Sequence, residues 1–332
     1  KGLKRSIPNG KRRYRTIVEK CIYFADLNPM NVFICTLLLD PEGKYNLNVY
    51  KGDTLKMNVK KAFGVDKFDM IIGNPPYNKS GIKGSGHQLW CDFVKFSLKH
   101  LVAKGYLVFV HPPAWRQVNG ACHDEILSRN LLYLSIHDIK DGRKTFGCDI
   151  RYDWYVLQNL PSRDMTTVRD QKGKVTHVHF KSWKLPFVPN FWFGKIMRLT
   201  NKKEKVDLLF SSSFYDKRKD WVKTKKSAKF KYPGVTSTGG PSFYYSSKPQ
   251  KEFMVPKVIF MSSVGTKVIY DATGRYGLGK TVGAFTDTKS NLKHIERAMK
   301  SDKSQKLREA FYLTAHSYRP FEYLNRDFWK NL

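Results

Sequence analysis

The near-continuous apolar run Phe68-Asp69-Met70-Ile71-Ile72-Gly73 leads straight into Asn74-Pro75-Pro76-Tyr77. The run has the length and composition of a buried strand. Neither proline has an N–H to donate, so the ladder must end there and the chain must leave the sheet. A carboxamide and an aromatic ring are thereby placed at the carboxyl end of a strand, where open α/β sheets bind ligands. The Asn74 oxygen can accept hydrogen bonds from an exocyclic amine. The rigid turn points backbone carbonyls at the same amine, and Tyr77 can stack on a flat base. Together these parts suit the holding of an aromatic amine for attack on an electrophile.

The flanking sequence alternates between strand and helix signals. Residues 20–26 read as a strand ending in Asp26, and residues 47–50 as a short strand ending at Gly52-Asp53. Pro29 fits the first turn of a helix through Leu39. Leu89, Phe93, Phe96, Leu98 and Leu101 have helical spacing over residues 88–103, and Gly105 stops that helix. Residues 106–110, 131–139 and 152–158 read as further strands. Residues 1–17 are basic and polar around Pro8-Asn9-Gly10, and read as a loop. The alternation predicts an open α/β sheet. After Leu160-Pro161-Ser162 aromatics, lysines and glycines interleave, and helical periodicity returns only over residues 292–312. Two domains are predicted, residues 1–160 and 161–332.

The charge balance points to a polyanionic partner. Net charge is +32, from 60 basic and 28 acidic residues. Residues 1–160 carry 25 basic and 14 acidic residues, or +11; residues 161–332 carry 35 and 14, or +21. The five cysteines are scattered without a Cys-x-x-Cys, so neither a disulfide framework nor a zinc site is indicated, and a reducing compartment fits. His177 and His179 alternate on a predicted strand and read as a surface feature. No apolar run is long enough to span a membrane and no signal peptide is visible, so an intracellular, DNA-associated location is expected. The sequence opens at Lys1 without an initiator Met, as a fragment would.

The strand followed by Asn74-Pro75-Pro76-Tyr77 resembles the catalytic motif of S-adenosylmethionine-dependent amino-methyltransferases. It is most similar to the gamma class of DNA adenine-N6 methyltransferases, including the methylase parts of type IIG restriction–modification enzymes. The resemblance implies an α/β fold: an open, Rossmann-like S-adenosylmethionine-methyltransferase sheet followed by a C-terminal mixed α+β target-recognition domain. It implies S-adenosyl-L-methionine as cofactor, double-stranded DNA as partner, and a nuclease domain or subunit outside the chain. Asp26 would take the two ribose hydroxyls of the cofactor and Asp53 its adenine amine. Asn74, Pro75, Pro76 and Tyr77 would be catalytic, with Asn74 also beside the cofactor. Phe146 would stack on the extruded base opposite Tyr77. One departure stands out. The family's glycine-rich cofactor loop precedes the strand that ends in the ribose acid, and nothing before Ile22 has that form. Either that loop lies upstream, outside this chain, or the protein has lost it, so a non-catalytic DNA-binding module stays open as an alternative; an RNA- or protein-directed amino-methyltransferase stays open because related tetrapeptides occur there.

In the second half, Lys217-Arg218-Lys219 and Lys223, Lys225 and Lys226 surround Tyr215, Trp221 and Tyr232, a pattern suited to phosphate contact. Gly239-Gly240-Pro241-Ser242 and Arg275-Tyr276-Gly277 read as exposed loops able to enter a groove. Gly274-x-x-x-x-Gly279-Lys280-Thr281 fits the phosphate-loop pattern literally. The residues after it have little helical character, so a glycine-rich hairpin is expected there instead.

Overall fold

The computed structural model describes residues 2–78, 88–201, 203–210, 213–239, 242–261, 263, 265, 267–313 and 318–332. Its contacts divide the chain into two compact units, Lys1–Phe109 with Leu157–Leu160, and Val110–Val156 with Pro161–Leu332.

The first unit opens with two helices, α1 (Gly2–Ser6) and α2 (Gly10–Lys20). The expected loop is therefore helical. Asn9 is the reason: its side chain accepts the Arg12 N–H at 2.9 Å and caps α2. Then follow β1 (Tyr23–Asp26), α3 (Pro29–Leu39), β2 (Asn48–Lys51), α4 (Val59–Phe63), β3 (Phe68–Gly73), α5 (Leu89–His100) and β4 (Leu101–His111). Asn28 caps α3, accepting the Met30 N–H at 2.9 Å, and Pro29 sits in the first turn. β1 and β2 pair in parallel, Tyr23 opposite Asn48 through Asp26 opposite Lys51. β3 and β4 also pair in parallel, Met70 opposite Tyr106 through Gly73 opposite Phe109.

Gly105 does not end α5. The helix passes directly into β4 at Leu101, and Gly105 lies inside the strand beside a break in register. Lys104 there has φ 67°, and a Cβ on Gly105 would stand 3.0 Å from the Asp69 carbonyl oxygen. Close backbone approach, not helix termination, accounts for the glycine. Residues 157–160 close this unit, with Asn159 Nδ2 donating to the Leu101 and Val102 carbonyls at 3.3 and 3.1 Å.

The second unit contains α6 (His123–Leu127), β5 (Arg129–His137), α7 (Ile139–Phe146), β6 (Tyr152–Pro161), β7 (Thr166–Arg169) and β8 (Val175–Val178). Here β6, β5, β7 and β8 are successive neighbours in one sheet. Next come α8 (Phe193–Leu199), β9 (Asp207–Phe210), β10 (Val222–Lys223), β11 (Tyr232–Ser237), β12 (Ser242–Ser246) and β13 (Lys257–Met261). The chain ends through β14 (Val268–Asp271), β15 (Gly277–Leu278), β16 (Val282–Thr286), α9 (Lys289–Met299) and α10 (Asp302–Phe311). Two four-stranded sheets result, ordered β10-β12-β11-β15 and β14-β13-β16-β9. The aromatics interleaved in the sequence form a core: Phe260 stacks on Phe285 at 4.7 Å, and Phe311, Phe321 and Phe328 are fully buried around them.

Burial in this unit includes charge. Arg116 is 1% exposed and Asp153 0%, and their side chains meet at 2.7 Å. Trp115 Nε1 donates to the same carboxylate at 2.9 Å, and the guanidinium also reaches the Val188 carbonyl and Asn190 Oδ1 at 3.1 and 3.0 Å. Such a pair persists only when its remaining donors and lone pairs are filled. Cys21, Cys35 and Cys148 are free thiols, whereas Cys91 and Cys122 are not, a departure from the reduced set expected. Among the described residues no helix is long and apolar enough to cross a membrane, and no group of three or more metal-ligating side chains occurs.

His111 gives this unit a pH response. It is fully buried, with Nε2 3.1 Å from the Tyr155 hydroxyl, and burial pushes its pKa down from 6.5 to about 4. The imidazole stays neutral in the folded protein while the unfolded chain takes up a proton below its ordinary value. Stability is therefore full above that value and falls as pH drops towards about 4, by up to roughly 3 kcal/mol. Urea unfolding between about pH 7 and about pH 4.5 is expected to show this slope, and His111→Gln to flatten it.

Candidate active site

Asp26 and Asp53 come together at the carboxyl end of the β1–β2 pair. Asp26 is the last residue of β1, opposite Lys51, and its carbonyl accepts the Gly52 N–H at 3.1 Å. Asp53 follows immediately. Both carboxylates already serve the local backbone. Asp26 accepts the Asn28 N–H at 2.7 Å and Asn31 Nδ2 at 3.0 Å. Asp53 accepts the Leu55 N–H at 3.1 Å, and Lys56 Nζ lies 3.6 Å away. A carboxylate offers about four acceptor sites, so each keeps capacity for a ligand's hydroxyl or amine. The local bonds fix the orientation of both groups, and both are half-buried.

Asn74 follows the last β3 residue, Gly73. Asn74 and Pro76 are exposed, Pro75 is buried and Tyr77 is half-buried. The tetrapeptide thus presents its carboxamide to solvent from an anchored turn. β3 and β1 begin beside one another: the Tyr23 ring packs on the Phe68 ring at 5.4 Å, and Phe63 closes a three-ring cluster. The first unit therefore carries Asp26, Asp53 and the Asn74–Tyr77 turn, each just at or beyond the end of a strand.

Phe146 belongs to the second unit. It ends α7 and is 38% exposed. Its ring stands edge-on to Tyr152 at 5.0 Å, and Tyr152 in turn stacks on His137 at 4.3 Å. Two caps fix the helix that ends in it: Asp138 accepts the Lys140 and Asp141 N–H groups, and Gly147 closes it in the left-handed conformation.

Of the basic residues expected to meet DNA, Lys217, Arg218, Lys219, Lys223, Lys225, Lys226 and Arg275 are all exposed. Arg218 is engaged within the chain: its guanidinium grips Asp216 and holds that carboxyl well below its ordinary range. Lys219 and Lys248 flank Trp221, at 5.4 and 4.0 Å from the ring centre. The Gly239-Gly240-Pro241-Ser242 loop lies partly outside the described residues.

The phosphate-loop pattern forms no phosphate cradle. Gly277, Leu278 and Gly279 are buried, β15 pairs in parallel with β11, and the residues after Thr281 form strand β16. The structure uses this segment to hold up Arg275. Asp271 accepts the Arg275 and Tyr276 N–H groups, each at 2.9 Å. Gly274 has φ 72°, and a Cβ there would lie 2.3 Å from Val255 N. Asp271 is itself held by the buried Lys257 ammonium at 3.2 Å, which also donates to the Glu252 and Val255 carbonyls. Burial lowers the Lys257 pKa, against the pull of Asp271. Sequence reasoning missed this pair, although an aspartate three residues before a turn glycine was a usable signal.

Residues 20–146 match the family model of the Eco57I restriction-modification methylase. A protein of Mycoplasma pneumoniae (strain ATCC 29342 / M129 / Subtype 1) named an uncharacterized adenine-specific methylase is 26% identical over 162 residues, 48% of this chain and 34% of that protein. The chain spans about a third of that relative's length. Among solved structures, the type IIL restriction-modification enzyme MmeI, determined in complex with DNA, is similar with TM-score 0.51 and 7% identity, over 80% of this chain and 48% of that one. The M protein of the type I restriction enzyme EcoKI is similar with TM-score 0.39 and 15% identity, over 51% of this chain and 39% of that one. The likeness to MmeI is one of fold: both are mixed α/β.

Removing Asp271 leaves the Lys257 ammonium buried without its counter-charge. Asp271→Ala is expected to cost about 3–5 kcal/mol in urea unfolding. The apolar double replacement Lys257→Met with Asp271→Leu is expected to recover most of that loss.

Proposed function

We propose that the chain carries the target-amine turn and the nucleoside-binding acids of an S-adenosylmethionine-dependent DNA adenine-N6 methyltransferase, with its catalytic part in residues 1–160 and its target-recognition part in residues 161–332. The observation that carries this reading is the Asn74-Pro75-Pro76-Tyr77 turn, directly after β3 and inside the segment matching the restriction-modification methylase family. The two acids, one ending β1 and one just past β2, fit the nucleoside half of such a cofactor. Among the described residues before β1, all helix and loop, there is no glycine-rich turn for its methionine half.

S-adenosylmethionine, when bound, supplies an electrophilic sulfonium methyl group. The chain's own task is to make the amine a nucleophile. An aromatic exocyclic amine is a poor one because its lone pair is delocalised into the ring. The Asn74 oxygen and the Pro75 carbonyl accept its two N–H groups and draw the nitrogen towards tetrahedral geometry. Positioning and exclusion of water do most of the work. The base must first leave the duplex, at a cost of a few kcal/mol. Tyr77 stacks on the extruded ring. Asp26 receives the ribose hydroxyls and Asp53 the cofactor's adenine amine. The exposed lysines of the second half supply sequence-independent phosphate contact, and Arg275, on a fixed turn, is the candidate reader of base edges. A non-catalytic DNA-binding module is the competing reading. Cofactor binding measured by calorimetry separates the two.

Asn74→Ala is expected to lower methyl transfer by about 10²–10³-fold, as for loss of one preorganised hydrogen-bonding group, with DNA affinity largely kept. Tritiated-methyl incorporation into duplex DNA, RNA and protein acceptors measures this and the acceptor class together. Wild-type transfer by the variant would refute the assignment.

Replacing Lys223, Lys225 and Lys226 together is expected to weaken binding to every duplex and to flatten the salt dependence, by about 0.9 in log–log slope for each phosphate left without a neutralising cation. Arg275→Ala should instead alter sequence preference at constant slope. Fluorescence anisotropy across a salt series distinguishes the two behaviours.

A further inference from the structure

Arg151 is a charge that the second unit partly buries without a counter-charge. It directly precedes β6 and is half-buried. Its guanidinium lies over the Tyr312 ring, 5.1 Å from the centre, and Nη1 donates to Gln171 Oε1 at 2.9 Å. Nε is shielded from solvent and has no hydrogen-bond partner among the described residues. Two acids, Asp138 and Asp153, act on it from a distance, and both are committed elsewhere. Asp153 takes Nε and Nη2 of Arg116 at 2.7 and 3.1 Å, together with the Trp115 indole. Asp138 caps α7 through the Lys140 and Asp141 N–H groups. Burial lowers the Arg151 pKa, and the charge of Arg116 adds to the effect.

Arg116 and Lys257 show how this unit completes a structural cation. Each has a carboxylate partner, and backbone carbonyls take further donors. Arg151 has only an amide oxygen and an aromatic face. The edge left over is Nε with Nη2, the same edge by which Arg116 grips Asp153. Nη2 has no partner among the described residues either but keeps solvent contact, so the edge is approached from its side. Two parallel N–H donors of this kind form the fork that takes two oxygens of a carboxylate or a phosphate. Tyr312 fixes the plane of the fork and Gln171 its rotation. An unpaired polar group in a folded interior calls for a cause, and orientation in advance of an arriving oxyanion is one.

We propose that Arg151 is a phosphate-binding residue, with Tyr312 and Gln171 as its positioning residues. The inference rests on the reading of the chain as a DNA methyltransferase in one respect: on that reading, the phosphate is one of the DNA backbone. A phosphate is also the oxyanion that the exposed lysines of the same unit attract. Arg151 differs from them in kind. A surface lysine gives up rotamer freedom when it meets a phosphate, whereas this guanidinium is already held. The arriving phosphate supplies the counter-charge that the fold withholds.

Arg151→Met and Arg151→Lys in the full chain test this. Arg151→Met is expected to weaken duplex binding about 10–100-fold in anisotropy and to lower the salt slope by about 0.9. Its unfolding temperature is expected to be no lower than that of the wild type, because the variant removes a half-buried charge that lacks a partner. Arg151→Lys keeps the charge without the fork, and should recover the slope but not the affinity. Duplexes carrying a single uncharged methylphosphonate linkage, moved along the site, locate the contact. One linkage should cost the wild type about tenfold and cost Arg151→Met nothing. Inorganic phosphate, compared with chloride at equal ionic strength, should raise the unfolding temperature of the wild type more than that of Arg151→Met. Two results would overturn the inference. One is unchanged duplex affinity in Arg151→Met. The other is a loss of affinity that comes with a lowered unfolding temperature, which would make the residue structural. If the wild type bound no duplex at all, the DNA reading would fail by itself, and the inorganic-phosphate comparison would decide. A larger shift in the wild type upholds the phosphate site, and equal shifts refute it.

Discussion

Backbone hydrogen bonding forces the chain out of its sheet at Asn74. A ladder needs an N–H from every second residue on each edge, and Pro75 and Pro76 have none. β3 therefore stops at Gly73 irrespective of the side chains beyond it. The carboxamide that follows is carried by a turn whose buried residue, Pro75, anchors it from inside. Chemistry at this place needs a group that neither drifts nor withdraws into the sheet. The same two residues that forbid the strand also fix the turn.

A chain with net charge +32 must decide which charges to neutralise internally. Two buried pairs among the described residues, Arg116 with Asp153 and Lys257 with Asp271, lie wholly in the second unit and are filled out by carbonyl and indole partners. Most of the remaining cations stay at the surface, where their self-repulsion is weakened by salt and relieved by a polyanion. Arg218 is an intermediate case, exposed yet clamped by Asp216. For that reason it is a weaker candidate for phosphate contact than Lys217 or Lys219 on either side of it.

The first hundred residues are the more legible part. Each strand there ends in a residue type that announces itself, and Pro29 to Leu39 is helical from end to end, as the sequence predicts. The errors come from local signals given too little weight. Asn9 caps a helix that basic composition disguises as a loop, and Asp138 with Gly147 brackets α7, which periodicity alone does not reveal. Gly105 reads as a helix stop because a glycine in a strand interior looks the same in sequence. Beyond residue 160 the aromatic and basic texture is plain in the sequence, but neither sheet can be drawn from it. Pairings such as β16 with β9, or Arg116 with Asp153, join residues far apart in the chain, and no periodicity encodes them.

The turn at Arg275 is held by backbone, not by the side chain it displays. Asp271 accepts the main-chain N–H groups of residues 275 and 276, which any residue except proline can supply. The anchoring charge pair sits beneath, out of contact with solvent. Variation at position 275 is thereby uncoupled from folding. A lineage carrying this scaffold can exchange that side chain, and whatever it distinguishes, in single mutational steps that leave the core unchanged.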